Sequence, residues 1–243
     1  MRVLIFGHRT AKEILRDPLT LLFGIGFPVV LMLLMTTIQK KIPVPLFVPE
    51  ELTPGLVTFG FSFLGLFSAS LVAKDRSGSL LARLRATPMT AGDFYFGYLL
   101  PLIPMAACQM IITYAAALLC GLSWSWRIFP AMLVQMPMAV VFLTLGIVCG
   151  CLLTERQASG ICGALLTNLS AWLSGAWFDL RLVGGVFERA AYVLPFANAT
   201  DAGRLVLTGA GVGWQKPFLI TCAYAVVLLG LAAVTCRKLA YAE

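Results

Sequence analysis

The stretch Lys74-Asp75-Arg76-Ser77-Gly78-Ser79-Leu80-Leu81-Ala82-Arg83-Leu84-Arg85-Ala86-Thr87-Pro88 decides how this chain is read. It holds four bases (Lys74, Arg76, Arg83, Arg85) against one acid, Asp75, with a second acid further on at Asp93, and long apolar runs flank it. Leu80, Leu81 and Leu84 fall on one face of a short helix, with Arg76 and Arg83 on its flank. Thr87-Pro88 closes that helix, because a proline disfavours helical geometry at the residue before it. In a membrane chain such a basic patch belongs on the cytosolic side, where something soluble can hold it.

The flanking runs make it a membrane chain. Of its residues 60% are hydrophobic and 12% charged, and the mean hydropathy is +0.91. Soluble domains carry about 25% charged residues, so the solvent for this surface is lipid. A helical crossing needs about 20 apolar residues, and six charge-free windows supply them, at about 18–39, 53–73, 98–122, 128–153, 157–178 and 217–236. An alternative is five spans with one window re-entrant. The expected fold is an all-α integral membrane protein of one domain, 1–243.

The net charge of +7 does not indicate nucleic acid, because the bases cluster beside apolar windows instead of forming a stripe. With six spans and the N-terminus inside, the cytosol receives Arg2, Arg9, Lys12, Arg16, Lys74, Arg76, Arg83, Arg85, Arg156, Arg237 and Lys238. The outside receives Lys40, Lys41, Arg127, Arg181, Arg189, Arg204 and Lys216, an 11-to-7 bias that places both termini on the cytosolic side of the cytoplasmic membrane. All seven cysteines lie in or beside apolar windows with no metal-ligand spacing, and read as small buried hydrophobes. The first window is too long and lacks the small-x-small site of a cleaved signal peptide.

Met1–Asp17 reads as an amphipathic interfacial helix. Val3, Leu4, Gly7, Ala11, Ile14 and Leu15 form one face; Arg2, Arg9, Lys12, Glu13 and Arg16 form the other, and Ile5 and Phe6 are exceptions. Pro18 opens the first span and Pro28 kinks it. Four prolines stiffen an outer loop over Ile42–Pro54. Thr90 or Asp93 caps the third span. Trp124 and Trp126 flank a tight outer hairpin, and Thr154-Glu155-Arg156-Gln157 is a tight inner turn. Asp179–Lys216 reads as two short helices on the outer leaflet, the second over Thr200–Leu207.

No catalytic set emerges. His8 has no acid or nucleophile at a defined spacing, and no phosphate loop, nucleophile elbow or zinc motif is present. Charge-free windows also argue against an ion-coupled carrier, which places a carboxylate at mid-membrane. The polar residues within the spans include Ser62, Ser68, Gln109, Gln135, Asn168, Ser170 and Ser174. They read either as interhelical hydrogen-bond glue or as the lining of a substrate path. Gly146-x-x-x-Gly150 is a small-residue packing face.

In order and spacing the whole chain resembles the permease subunits of type-2 ATP-binding-cassette exporters. Arg9-x-x-Lys12-Glu13-Ile14-Leu15-Arg16-Asp17-Pro18 is similar to that family's elbow helix. Asp75-Arg76-Ser77-Gly78 with Thr87-Pro88 is similar to its Glu-Arg-x-x-Gly…Thr-Pro motif, Asp75 replacing the commoner Glu. Ser174-Gly175-Ala176-Trp177-Phe178 and Leu194-Pro195-Phe196…Asp201-Ala202-x-Arg204 resemble its outer hairpin. The resemblance implies a homodimer or pseudo-symmetric heterodimer docked on a cytosolic ATPase that binds ATP and Mg, this chain holding no cofactor. It implies a coupling helix carrying Asp75, Arg76, Gly78, Leu80, Leu81, Arg83, Leu84 and Pro88, with a second contact at Glu155 and Arg156. It also implies a re-entrant outer hairpin between spans five and six. Hydroxyls and amides among Phe, Leu and Met suit a hydrophobic or amphipathic cargo, such as a drug-like molecule or antibiotic peptide. The alternatives are a glycan exporter, for which stacking aromatics are sparse, and an enzyme acting on lipid-linked substrates.

Overall fold

A computed structural model describes residues 2–44, 46–78, 90–209 and 213–241. Among these, every regular element is helical. Helix α1 (Arg2–Leu15) stops before Asp17, whose extended backbone and carboxylate cap the next helix by accepting from the Leu19 and Thr20 amides. Helix α2 (Pro18–Gln39) has proline in its first turn and a wide, π-type turn at Leu22–Gly26. The cause is Pro28, which has no N–H for the carbonyl four residues earlier, so the distortion falls one turn ahead of it.

The stiff loop expected over 42–54 is shorter than that. Helix α3 (Pro49–Ser77) opens on Pro49, with Glu50 and Glu51 in the first turn where acids suit the helix dipole. At its far end α3 runs past Ala73, so Lys74, Asp75 and Arg76 belong to its last helical turn, and Gly78 ends it in extended conformation. Leu80, Leu81, Arg83, Leu84 and Pro88 lie outside the described residues. Helix α4 (Ala91–Leu119) begins with a reciprocal capping box. Thr90 Oγ1 accepts the Asp93 amide at 3.2 Å and Asp93 accepts the Thr90 amide at 2.9 Å, so both expected caps act together.

Helix α5 (Ile128–Leu152) follows a hairpin with Trp124 and Trp126 exposed, as headgroup-belt residues should be. Thr154 and Gln157 form a second capping box. It starts α6, a helical run over 155–173 with a π-type middle at Ile161–Leu166. Among the described residues, five helices are long and apolar enough to cross a membrane: α2, α3, α4, α5 and the last helix, α10 (Gln215–Tyr241). The run α6 is not among them, because it opens on Glu155-Arg156-Gln157 and carries Thr167 and Asn168. Its ends nevertheless meet α3 far apart: Ser159 and Ser70 share a 3.0 Å hydrogen bond, whereas Ala176, just past α6, packs on Gly55. Along α3 those contacts are roughly 22 Å apart at helical rise.

Among the described residues the segment 179–216 holds three helices, not the expected two: α7 (Leu180–Val183), α8 (Gly185–Val193) and α9 (Pro195–Thr208). The helix expected over 200–207 starts at Pro195 and does not lie on the surface. Its small residues Ala197, Ala199, Ala202 and Gly203 are buried against α3, α5 and α10, and a Cβ on Gly203 would meet Gln135 and Pro54 at about 3 Å.

Helices α3 and α5 run parallel at the centre, with α4, α9 and α10 around them and α2 and α6 on the α3 side. Their seam is a glycine ladder. A Cβ on Gly65 would sit 2.9 Å from the Phe142 carbonyl, one on Gly150 2.6 Å from the Ala69 carbonyl, and one on Gly146 on top of the Gly65 carbonyl and Ser68 Oγ. Helix α1 lies on α4, and its buried face differs from the expected one. Phe6, Gly7, Thr10 and Ile14 are buried, while Leu4 and Leu15 are exposed. Phe6 wins because Gly97 leaves a hole for its ring between Phe94 and Tyr98.

The ladder gives a direct expectation. Gly146→Ala should destabilise the purified protein by about 1–3 kcal/mol, since a backbone carbonyl cannot move aside. Gly160→Ala, with open space around the site, should leave the thermal midpoint in detergent unchanged.

Candidate functional site: a charge knot at one end of the bundle

The last turn of α3 joins three neighbours through two adjacent side chains. Asp75 is nearly buried. Both its oxygens accept from the Arg9 guanidinium at 2.6 and 2.9 Å, and Tyr98 Oη donates to it at 2.8 Å. One carboxylate therefore holds α1 and α4 to α3. The paired donors also raise the Arg9 pKa above its ordinary value, chiefly through the Asp75 hydrogen bond. Glu13 extends the network, 2.7 Å from Arg9 and 3.6 Å from Lys74.

Arg76 points the other way. It donates to the Cys151 carbonyl and, at 2.5 Å, to the Leu153 carbonyl at the end of α5. Helix C-termini leave carbonyls unpaired and carry partial negative charge, so Arg76 caps α5. The Asp-Arg pair thus ties α1, α3, α4 and α5 together at one level. The segment 79–89 runs from the end of this knot to the Thr90 cap of α4, so both its attachment points are fixed.

The other predicted site residues have varied placements. Lys12, Arg16, Glu155 and Arg156 are exposed at the knot end. Ser62 and Ser170 are buried but bond their own helices, to the Phe59 and Thr167 carbonyls. Ser68 adds a 3.2 Å bond across the seam to the Leu143 carbonyl. Ser174 accepts the Ala176 amide. Asn168 is exposed on α6 and bonds the Ala164 carbonyl. Gln109 is buried against Gly60 and Pro28, and its Oε1 has no hydrogen-bond partner. Gln135 is interhelical glue: it accepts from Tyr114 at 2.9 Å and donates to the Pro54 carbonyl at 2.8 Å. Ser62, Ser68, Gln109, Asn168, Ser170 and Ser174 line neither the groove beside the knot nor the cavity beside Asp201.

Sequence reasoning passed over Tyr98 and Tyr114. The signal was available, since a tyrosine inside an apolar helix needs a partner for its hydroxyl. It also left the opposite end of the bundle without a structural role. There Arg204 donates to the Glu51 and Gly175 carbonyls at 2.7 and 2.8 Å and lies 3.7 Å from Asp201. Tyr192 Oη donates to Asp201 at 2.8 Å, and Arg127 caps α9 at the Thr208 carbonyl. Burial raises the Asp201 pKa above its usual value, and burial with the Asp201 charge pushes Tyr192 up to about 12.

Among the described residues the chain is a bundle of helices, five of them long and apolar enough to cross a membrane, with the charge knot beside the connecting segment 79–89. The sequence profile of the ABC-2 type transporter matches residues 1–208, and the chain belongs to that family. Its members are transport domains and not themselves catalytic. No curated protein matches the chain by sequence.

The two ends give opposite expectations. Asp75→Ala should lower stability by about 2–3 kcal/mol, because it leaves Arg9 and the Tyr98 hydroxyl unpaired, and Tyr98→Phe by about 1 kcal/mol. A double-mutant cycle between Arg9 and Asp75 should return a coupling well above zero. At the other end, a raised Asp201 pKa means that the folded state binds the proton more tightly. Stability from protonated Asp201 is complete below the ordinary aspartate pKa and is lost as pH rises through the raised value. Asp201→Asn should therefore match or exceed wild type in melting temperature at pH 7, with the difference shrinking as pH falls below 4.

Proposed function

We propose that this chain is the permease subunit of an ATP-driven exporter, moving a hydrophobic or amphipathic molecule outward across the cytoplasmic membrane. A separate cytosolic ATPase, which binds ATP and Mg, supplies the work. The observation that carries the reading is the Asp75–Arg76 knot. A segment suspended from a point that ties four helices passes any push on itself to all four, as rigid-body gating requires. In this reading the knot end is cytosolic, segment 79–88 with Leu80, Leu81, Arg83 and Leu84 is the coupling helix, and Glu155 and Arg156 form a smaller contact.

The height of α6 between its Ser70 and Gly55 contacts supports a sixth span, with both termini inside and α7–α9 as the re-entrant outer hairpin. Asn168 supports a second permease copy, since an amide on an otherwise apolar outer face suits a shared cavity better than lipid. In that arrangement α3 and α6 of both copies line the path, and Gln109, Ser62, Ser68, Ser170 and Ser174 stand beside it.

Co-purification with the cognate ATPase tests the coupling role. Leu81→Asp or Arg83→Glu should abolish it while the permease stays folded, and retention of the ATPase through both changes would refute the role. Orientation is tested at Ser79→Cys with the native cysteines replaced. An impermeant maleimide should reach that thiol only after the inner face is opened; labelling of intact cells would invert the topology.

A further inference from the structure

Beside the knot is a groove of about 990 Å³, bounded by α1, the start of α2, α3 and the first residue of α6. Its floor is apolar, formed by Ile5, Ile14, Phe67 and Leu71, with the buried Leu102 of α4 beneath them. Its rim is charged, and the charges divide into two sets. Arg9, Glu13 and Lys74 are engaged with one another and with Asp75, and Asp17 is bonded to Thr20 and the Leu19 amide. Lys12, Arg16 and Glu155 form no ion pair among the described residues. The uncommitted set is net positive, and its two cations are one helical turn apart: the Arg16 amide still bonds the Lys12 carbonyl at 3.2 Å. Side chains four apart on a helix lie side by side, close enough to share one phosphate.

We infer that this groove binds a phospholipid of the membrane leaflet at the knot end, its phosphate held between Lys12 and Arg16 and its acyl chains over Phe67 and Leu71. A soluble anion would leave the apolar floor uncovered, and a neutral lipid would leave both cations unpaired. An amphiphile bearing a phosphate satisfies both, and the leaflet presents it at that depth. The volume suits a headgroup and the upper part of its chains, within the usual range for ligand sites. The bound lipid would bridge the elbow helix α1 to the turn at Glu155. The inference takes the knot end to lie at a membrane surface; it depends on neither cargo nor ATPase.

The test uses the purified full chain in detergent with three probes: phosphatidylglycerol, diacylglycerol with the same chains, and glycerol phosphate. Phosphatidylglycerol alone should raise the melting temperature saturably and survive as a bound species in native mass spectrometry. Lys12→Gln with Arg16→Gln should weaken it by roughly thirtyfold, at about one surface charge's worth of attraction per base. Lys40→Gln with Lys41→Gln, whose bases lie after α2 outside the groove, should leave it unchanged and controls for lost net charge. Equal protection by glycerol phosphate would make the groove a plain anion site, and equal protection by diacylglycerol a plain apolar one. Either result, or undiminished binding in the Lys12/Arg16 variant, overturns the inference. The melting temperature without lipid shows whether each variant is folded.

Discussion

Asp75 is the constraint on which the rest of this bundle depends. A carboxylate that is nearly buried at a helix end cannot keep its charge without partners, because desolvation would exceed any gain from packing. Here it has two guanidinium hydrogen bonds and one phenolic hydrogen bond, from two different helices. Satisfying one atom group therefore fixes where α1 lies, which face α4 presents and where α3 ends. Arg76, its neighbour in sequence, then meets the open carbonyls of α5 because adjacent helical residues point about 100° apart. One dipeptide fastens four helices.

The middle of the bundle is held differently. Between the two polar ends, α3 and α5 touch through glycine and backbone, with Ser68 crossing the seam. Lipid offers no hydrophobic driving force for helix association, so close approach through small residues has to provide dispersion contact instead. At the far end Arg204 repeats the logic of Arg76, bonding backbone carbonyls of two other segments beside Asp201, which accepts from Tyr192. Directional polar contacts at both ends, with Ser68 between them, therefore hold α3 and α5 as one unit.

Much of this was legible in the sequence where one residue's chemistry forces one geometry. Pro18, and Thr90 with Asp93, each announced a helix start, whereas Thr154–Gln157 read only as a turn although it carries a capping box. The Gly146-x-x-x-Gly150 face announced close packing. What was not legible depended on long-range partners. Phe6 breaks the amphipathic pattern of α1 yet anchors it, because Gly97, about ninety residues away, makes room for it. Helix α9 reads as a surface helix by its charges, yet Asp201 and Arg204 are taken up by Tyr192, Glu51 and Gly175, which frees the small-residue face to insert. Lys74–Arg76 read as the start of a separate charged insert, whereas they end α3 and the Asp75 and Arg76 side chains are used inside the fold. Gln109 and Ser62, equally polar in sequence, have unlike surroundings that composition alone could not separate.

Rigidity is therefore distributed unevenly, and the distribution bears on transport. Helices α3 and α5 are enclosed along most of their length, whereas α2 is mostly exposed and packs only on α3 and α4 among the long helices. Its backbone is already loosened at Leu22–Gly26. Beside it, Gly60 and Pro28 contact the side chain of Gln109, whose acceptor oxygen is unpaired. Helix α2 is thus hinged at Asp17 and Pro18 next to the tightest knot in the molecule, yet has the fewest polar commitments along its own length. A displacement arriving through α3 meets least resistance there, because moving α2 breaks no interhelical hydrogen bond among the described residues. The charge knot and the weakly held helix are joined by one capped turn, so in the proposed reading a push on the knot reaches α2 directly.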